Sequence, residues 1–161
     1  MDHPRKGDSL SEAEREKEEM IFRRENTRMR VFLDANILFS ASNTQSKTAI
    51  ILRLLFNKNH DVVTSSHVWK ETQRNLGTKC PDYLSGLEII RGRVITVDNI
   101  GTLLDVVCEE KDKPVFAGAI GAGCTHLWTG DKAHFGKFFG RKVQGVMVVS
   151  SDQLIDLLSM D

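Results

Sequence analysis

A chain of 161 residues, 40% of them hydrophobic, is long enough for one core of ordinary domain size and too short for two comfortable ones. Its 22 Lys and Arg balance its 22 Asp and Glu, so no overall field marks the molecule for nucleic acid or a membrane surface, and any electrostatic site must be local. Cys80, Cys108 and Cys124 are odd in number and lack C-x-x-C spacing, as expected of reduced thiols in a cytoplasmic protein; no apolar run approaches the roughly 18 residues of a membrane span, and the first residues lack the apolar core of a signal peptide.

Residues 1–28 hold few large apolar side chains and mix acids with bases in EAEREKEE. Such a segment buries too little surface to offset the entropy of ordering, so it is expected to be a charged, flexible extension, with Ser11 and Glu14 spaced as a capping box for a solvated helix. The domain is expected to span 29–161. MRVFLD reads as a strand, KTAIILRLLFN as a helix with Ile50, Ile51, Leu54 and Leu55 on one face, and HDVVTS as a second strand. SSHVWKETQRNL is a helix opened by Ser65 or Ser66, Pro81 to Ile90 suits another, and RVITV is a third strand. PVFAGAIGAG is a small-residue helix with Pro114 at its start, THLWTG and VMVVS are strands, and SDQLIDLLS closes the chain as a helix capped by Ser151 or Asp152. Strands alternating with helices predict an α/β fold whose mainly parallel sheet is covered on both faces.

In an open parallel sheet, ligands bind beyond the carboxyl ends of the strands, near the point where strand order reverses. Asp34 ends the first strand and Asp131 follows a later one, so two strands each deliver an acid to that rim. Glu71 lies on the helix after the second strand, and Asp112 precedes the Pro114 helix. Two like charges about 4 Å apart repel by about 4 kcal/mol at an effective dielectric of about 20, so four converging carboxylates need a cation, shared protons or distance. Oxygen ligands without a Cys or His pair favour Mg²⁺ or Mn²⁺. Each acid taken singly also has an ordinary reading: Asp112 stabilises a helix N-terminus, Asp34 and Asp131 cap turns, and Glu71 is a solvated surface acid.

LDANIL, WKETQRNL, KDKPVFAGAIGAG and TGDKAHF, in this order and spacing, resemble a PIN domain over Met29 to about Ser159. The resemblance implies a three-layer α/β/α sandwich in which Asp34, Glu71, Asp112 and Asp131 bind Mg²⁺ or Mn²⁺ and carry catalysis of RNA cleavage. Asn36 and Thr129 match positions beside those acids, where an amide and a hydroxyl orient carboxylate oxygens or simply stabilise turns. His134 stands where some relatives carry a further acid. Lys132, with Lys137 and Arg141 in HFGKFFGRK, reads as a phosphate contact or as a solvated loop. Single domains of this kind resemble the toxin half of a toxin–antitoxin pair, which implies an RNA substrate, an antitoxin protein as partner, a homodimer as a candidate assembly, and no membrane.

Other candidates are weaker. His67 and His126 lack a second ligand at metal spacing, and Ser40 and Ser42 lack a Ser-His-Asp arrangement and suit a turn. Trp69, Trp128 and Phe135 could stack a base, but apolar faces of strands and helices explain them equally well. The function expected is a metal-dependent endoribonuclease; the alternatives are a catalytically silent RNA- or protein-binding module of the same fold and a phosphatase of the haloacid dehalogenase type. The last wants a second Asp two residues after the first, where this chain has Asn36.

Overall fold

The structure, a computed structural model, describes residues 11–103, 106 and 108–160. The first ten residues of the expected charged extension therefore lie outside the described residues, and Glu12–Thr27 forms helix α1. Ser11 and Glu14 pair at its start: the Glu14 amide donates to Ser11 Oγ and the hydroxyl donates to Glu14 Oε1, both at 3.1 Å.

From Arg30 the chain alternates as expected. Strand β1 (Arg30–Leu33) leads into helices α2 (Ala35–Ala41) and α3 (Lys47–Asn57), then strand β2 (Asp61–Thr64) and helix α4 (Ser66–Lys79). A 3₁₀ turn at Pro81–Tyr83 enters helix α5 (Leu84–Arg91), followed by strand β3 (Ile95–Thr96), helix α6 (Lys113–Gly121) and strand β4 (His126–Trp128). Helix α7 (Lys132–Phe135), strands β5 (Lys142–Val143) and β6 (Val146–Val149), and helix α8 (Ser151–Ser159) complete the domain. The six strands form one sheet in the order β3-β2-β1-β4-β6-β5, parallel except where β5 pairs antiparallel with β6.

Val31, Phe32 and Leu33 are all fully buried because the sheet is covered on both faces. Alternation turns Phe32 toward α6, where Gly118 lies on its ring, and sends Val31 and Leu33 to the opposite face. There α2 packs on α3, α4 and α5, and α3 on α8. On the α6 face, Phe116 sits 5.2 Å by ring centroid from both Phe135 and Phe138. The result is the expected three-layer α/β/α sandwich.

Several local expectations change. Helix α3 buries Ala49, Ile51, Leu52 and Leu55, while Ile50 and Leu54 are exposed. Its apolar residues run almost all round the helix, so periodicity alone does not fix which side faces the core. The cap of α8 is Ser150, in a full capping box with Gln153, and not Ser151 or Asp152. RVITV contributes only the two-residue, exposed edge strand β3. Ser65, one of the two candidates, caps α4 through the Val68 amide. Ser40 lies in the last turn of α2, whereas Ser42 caps that helix and begins the turn before α3, as expected: Ser40 Oγ donates to Thr48 Oγ1 at 2.9 Å, and Ser42 Oγ to the Leu38 carbonyl at 2.7 Å. Trp69, Trp128 and Phe135 are core residues, with the two indoles donating to Thr96 Oγ1 at 2.9 Å and Ser151 Oγ at 3.0 Å.

The approach of α5 to the end of α2 depends on Gly86. A Cβ there would meet the Ser42 carbonyl oxygen at 2.1 Å, whereas a Cβ on Gly77 of α4 meets nothing within 4 Å. Gly86→Ala should therefore destabilise the fold by about 1–3 kcal/mol, the usual cost of overpacking. Gly77→Ala should stabilise it by about 0.5–1 kcal/mol, because Ala loses less backbone entropy in a helix. Urea melts of the two variants should move in opposite directions.

Candidate metal centre

The chain winds from β1 to β2 to β3 on one side and then returns to place β4 beside β1, so strand order reverses next to β1. The crevice beyond the carboxyl ends of β1 and β4 is the ligand position that this topology creates. A cleft of about 540 Å³ opens there, and Asp34, Glu71, Asp112 and Asp131 all line it.

Asp34 follows β1 directly and is 6% exposed. Its Oδ1 accepts from the Ala35 amide at 2.7 Å, capping α2, while Oδ2 accepts from Thr129 Oγ1 at 2.8 Å and Asn36 Nδ2 at 3.1 Å. Asn36 is itself fixed: its Oδ1 accepts from the Gly130 amide at 2.8 Å, which orients the side chain with its NH₂ toward Asp34. The same NH₂ reaches Thr129 Oγ1 at 3.2 Å, and the Asp131 amide donates to that hydroxyl at 3.2 Å. Asn36 and Thr129 thus tie the ends of β1 and β4 together and hold Asp34 in one rotamer. Burial pushes the Asp34 carboxyl above its ordinary range; the bonds from Thr129, Ala35 and Asn36 oppose this, and the neighbouring Glu71 charge adds to it. A desolvated carboxylate beside another acid is a position that a cation would stabilise.

The remaining acids come from three other elements. Asp131 caps α7 by accepting from the His134 amide at 3.1 Å, so it serves as a cap and a cleft residue at once. Asp112 precedes α6 but makes no side-chain cap bond; it is 7% exposed and accepts from His134 Nδ1 at 2.8 Å. Helix stabilisation by capping does not explain its place. That hydrogen bond holds the His134 imidazole above its ordinary range. Glu109 Oε2 lies 3.4 Å from the same nitrogen, and Glu109, Asp112 and His134 offer one donor atom each within 4.8 Å of one another. Glu71 stands in the second turn of α4, half-buried, on the face turned to the cleft.

The basic side chains divide into two groups. Lys132, Lys137 and Arg141 are exposed and do not line the cleft, and the Lys137 ammonium lies 5.1 Å from the centre of the Phe138 ring. Arg74, Lys79 and Lys111 line it instead, with His67 and Asn75. Helical spacing from Glu71 was the signal that could have found Arg74, Asn75 and His67. The Asp112–His134 contact spans 22 residues and had no local signal. His126 is away from the cleft, with its Nδ1 2.7 Å from Thr125 Oγ1.

No protein-family model and no curated protein matches this sequence. Among solved structures, the chain is similar to one in the crystal structure of VapBC2 from Rickettsia felis bound to a DNA fragment from their promoter. The two share 20% identity over 76% of this chain and 98% of that one, with a TM-score of 0.57. The likeness is one of fold, and it agrees with the PIN-like architecture expected from the sequence.

Proposed function

We propose that this chain is a metal-dependent endoribonuclease, hydrolysing RNA phosphodiester bonds with Mg²⁺ or Mn²⁺ in the cleft at the ends of β1 and β4, and that it is the toxin of a toxin–antitoxin pair. The observation that carries this reading is the gathering of four carboxylates from four chain segments around one cleft at the topological switch point. An all-oxygen set of this kind suits a hard divalent cation, with Asp34, Glu71, Asp112 and Asp131 as its holders. When bound, such a metal supplies an activated water and neutralises charge developing on the phosphate and the leaving oxygen.

The protein's own part is orientation and charge. Asn36 and Thr129 aim Asp34, a role whose loss typically costs about 10–100-fold in metal affinity or activity. His134 donates to Asp112 and ties that carboxylate to α7. The domain that does this is residues 29–161, with the charged segment before it outside the nuclease unit. A solved structure of similar fold is that of VapBC2 bound to a DNA fragment from their promoter, which supports a partner protein for this chain as well. No helix among the described residues is long and apolar enough to cross a membrane.

The test is purified protein incubated with a mixed RNA pool, with and without divalent metal, followed by sequencing of the product ends. Cleavage should require Mg²⁺ or Mn²⁺ and leave 5′-phosphate and 3′-hydroxyl ends. Cleavage that persists in EDTA, or 2′,3′-cyclic phosphate ends, would rule out hydrolysis by metal-activated water. Absence of cleavage across the pool would favour a silent binding module.

A further inference from the structure

We propose that the polar face of α4 is the track on which a single RNA strand lies, with Arg74 and Lys79 binding backbone phosphates to one side of Glu71. This rests on the nuclease reading above and specifies where its substrate runs.

His67, Glu71, Arg74, Asn75 and Lys79 all line the cleft and all belong to α4. Their spacing of four, three, one and four residues is that of a single helical face. The adjoining face carries Val68, Trp69, Thr72 and Leu76, all buried. One helix therefore presents a continuous polar stripe in which a candidate metal holder is followed by two cations. At a rise of about 1.5 Å per residue, Arg74 lies about 4.5 Å and Lys79 about 12 Å beyond Glu71 along the axis.

The stripe stands on a fixed support. Ser65 caps the helix, Asp98 accepts from the Ser66 amide at 2.8 Å and from its hydroxyl at 2.7 Å, and Trp69 is bonded to β3 through Thr96. Arg74 and Lys79 are both exposed, and among the described residues neither lies within ion-pair distance of a carboxylate. In a cleft that also holds four acids, these two charges are left for a ligand. A phosphate chain suits them: guanidinium binds phosphate oxygens through two parallel hydrogen bonds, ammonium acts as a point charge, and cations spaced along an axis follow a backbone. Lys111, on the other wall, is partly engaged, with its ammonium 3.8 Å from Glu109 Oε2.

The experiment uses the full chain in EDTA, so that binding is measured without cleavage. Fluorescence anisotropy of a labelled oligouridylate is followed over a range of NaCl concentrations for wild type, Arg74→Gln, Lys79→Gln and the double variant. A Lys47→Gln, Arg53→Gln variant on α3 controls for the same change in net charge. On a single strand the slope of log affinity against log salt is about −0.7 per phosphate contact, so each single variant should flatten it by about 0.7 and the double by about 1.4. The α3 control should leave the slope unchanged.

Equal slopes and affinities for wild type and the double variant would overturn the track while leaving the nuclease reading intact, provided wild type cleaves RNA when metal is restored. If wild type neither binds nor cleaves RNA, the nuclease reading fails and the track fails with it. A competing oligoglutamate peptide distinguishes the remaining occupant. Displacement of RNA by that peptide at equal charge, abolished in the double variant, would reassign the stripe to an acidic protein segment.

Discussion

Asp34→Asn should lower metal-dependent RNA cleavage by at least about 10²-fold while the protein stays folded, the scale on which one strong electrostatic stabiliser acts. The substitution is nearly isosteric. The Asn carbonyl can still accept from the Ala35 amide, so the cap of α2 survives. What changes is the other oxygen, which now accepts from Thr129 and Asn36: one anionic donor is removed and an NH₂ is turned toward two groups that were themselves donating. Asn36→Ala removes its bonds to Asp34, to Thr129 and from the Gly130 amide, but it removes no carboxylate. It should cost about 10–100-fold, the usual range for groups that position a metal ligand. The comparison is made by initial rates on one RNA substrate at saturating Mn²⁺, with circular dichroism verifying the fold. Rates within about twofold of wild type for Asp34→Asn would remove this residue from the reaction, since a lost anionic ligand is worth far more.

Asp34 and Asp131 stand out in the sequence because each follows a recognisable strand, whereas Glu71 lies within α4. LDAN breaks an apolar strand with a charge, and TGD does the same after HLW; burial on both faces of a parallel sheet leaves few other places for an acid. Asn36 and Thr129 could be named because each lies two residues from its Asp, although their mutual contact, 93 residues apart, was visible only in the fold.

Shorter or more uniform elements were not readable. ANILFSA is only seven residues, too few for a helical period to emerge from its apolar pattern, so α2 is visible only in the fold. In KTAIILRLLFN the apolar residues crowd every side, and contacts with α2 and α8 decide which become core. Strand β5 is two residues long and follows a basic loop; its turn to β6 places Gln144 at φ 48° and Gly145 at φ 87°, a two-residue hairpin without the Asn-Gly or Asp-Gly signal that usually marks it. The basic run after Asp131 drew notice by composition, whereas the cations of α4 are scattered in sequence and gather only on one helical face.

Whether the four carboxylates form one cation site is tested most directly by thermal unfolding of the metal-free protein titrated with Mn²⁺. Burial holds the Asp34 carboxyl above its ordinary range, so at neutral pH its ionised form opposes folding, and the Glu71 charge adds to that opposition. The sign follows: stability from this group is lost as pH rises through its folded-state value, and replacing it with a neutral amide, or neutralising it with a cation, restores stability at neutral pH. Mn²⁺ that binds only the folded site should stabilise wild type by about 2.7 kcal/mol at a hundredfold excess over its dissociation constant, saturably, while NaCl of matched ionic strength should not. Asp34→Asn combined with Asp131→Asn should melt higher than wild type without metal and gain little from Mn²⁺. Identical Mn²⁺ responses in wild type and the double variant would contradict a shared site at the ends of β1 and β4.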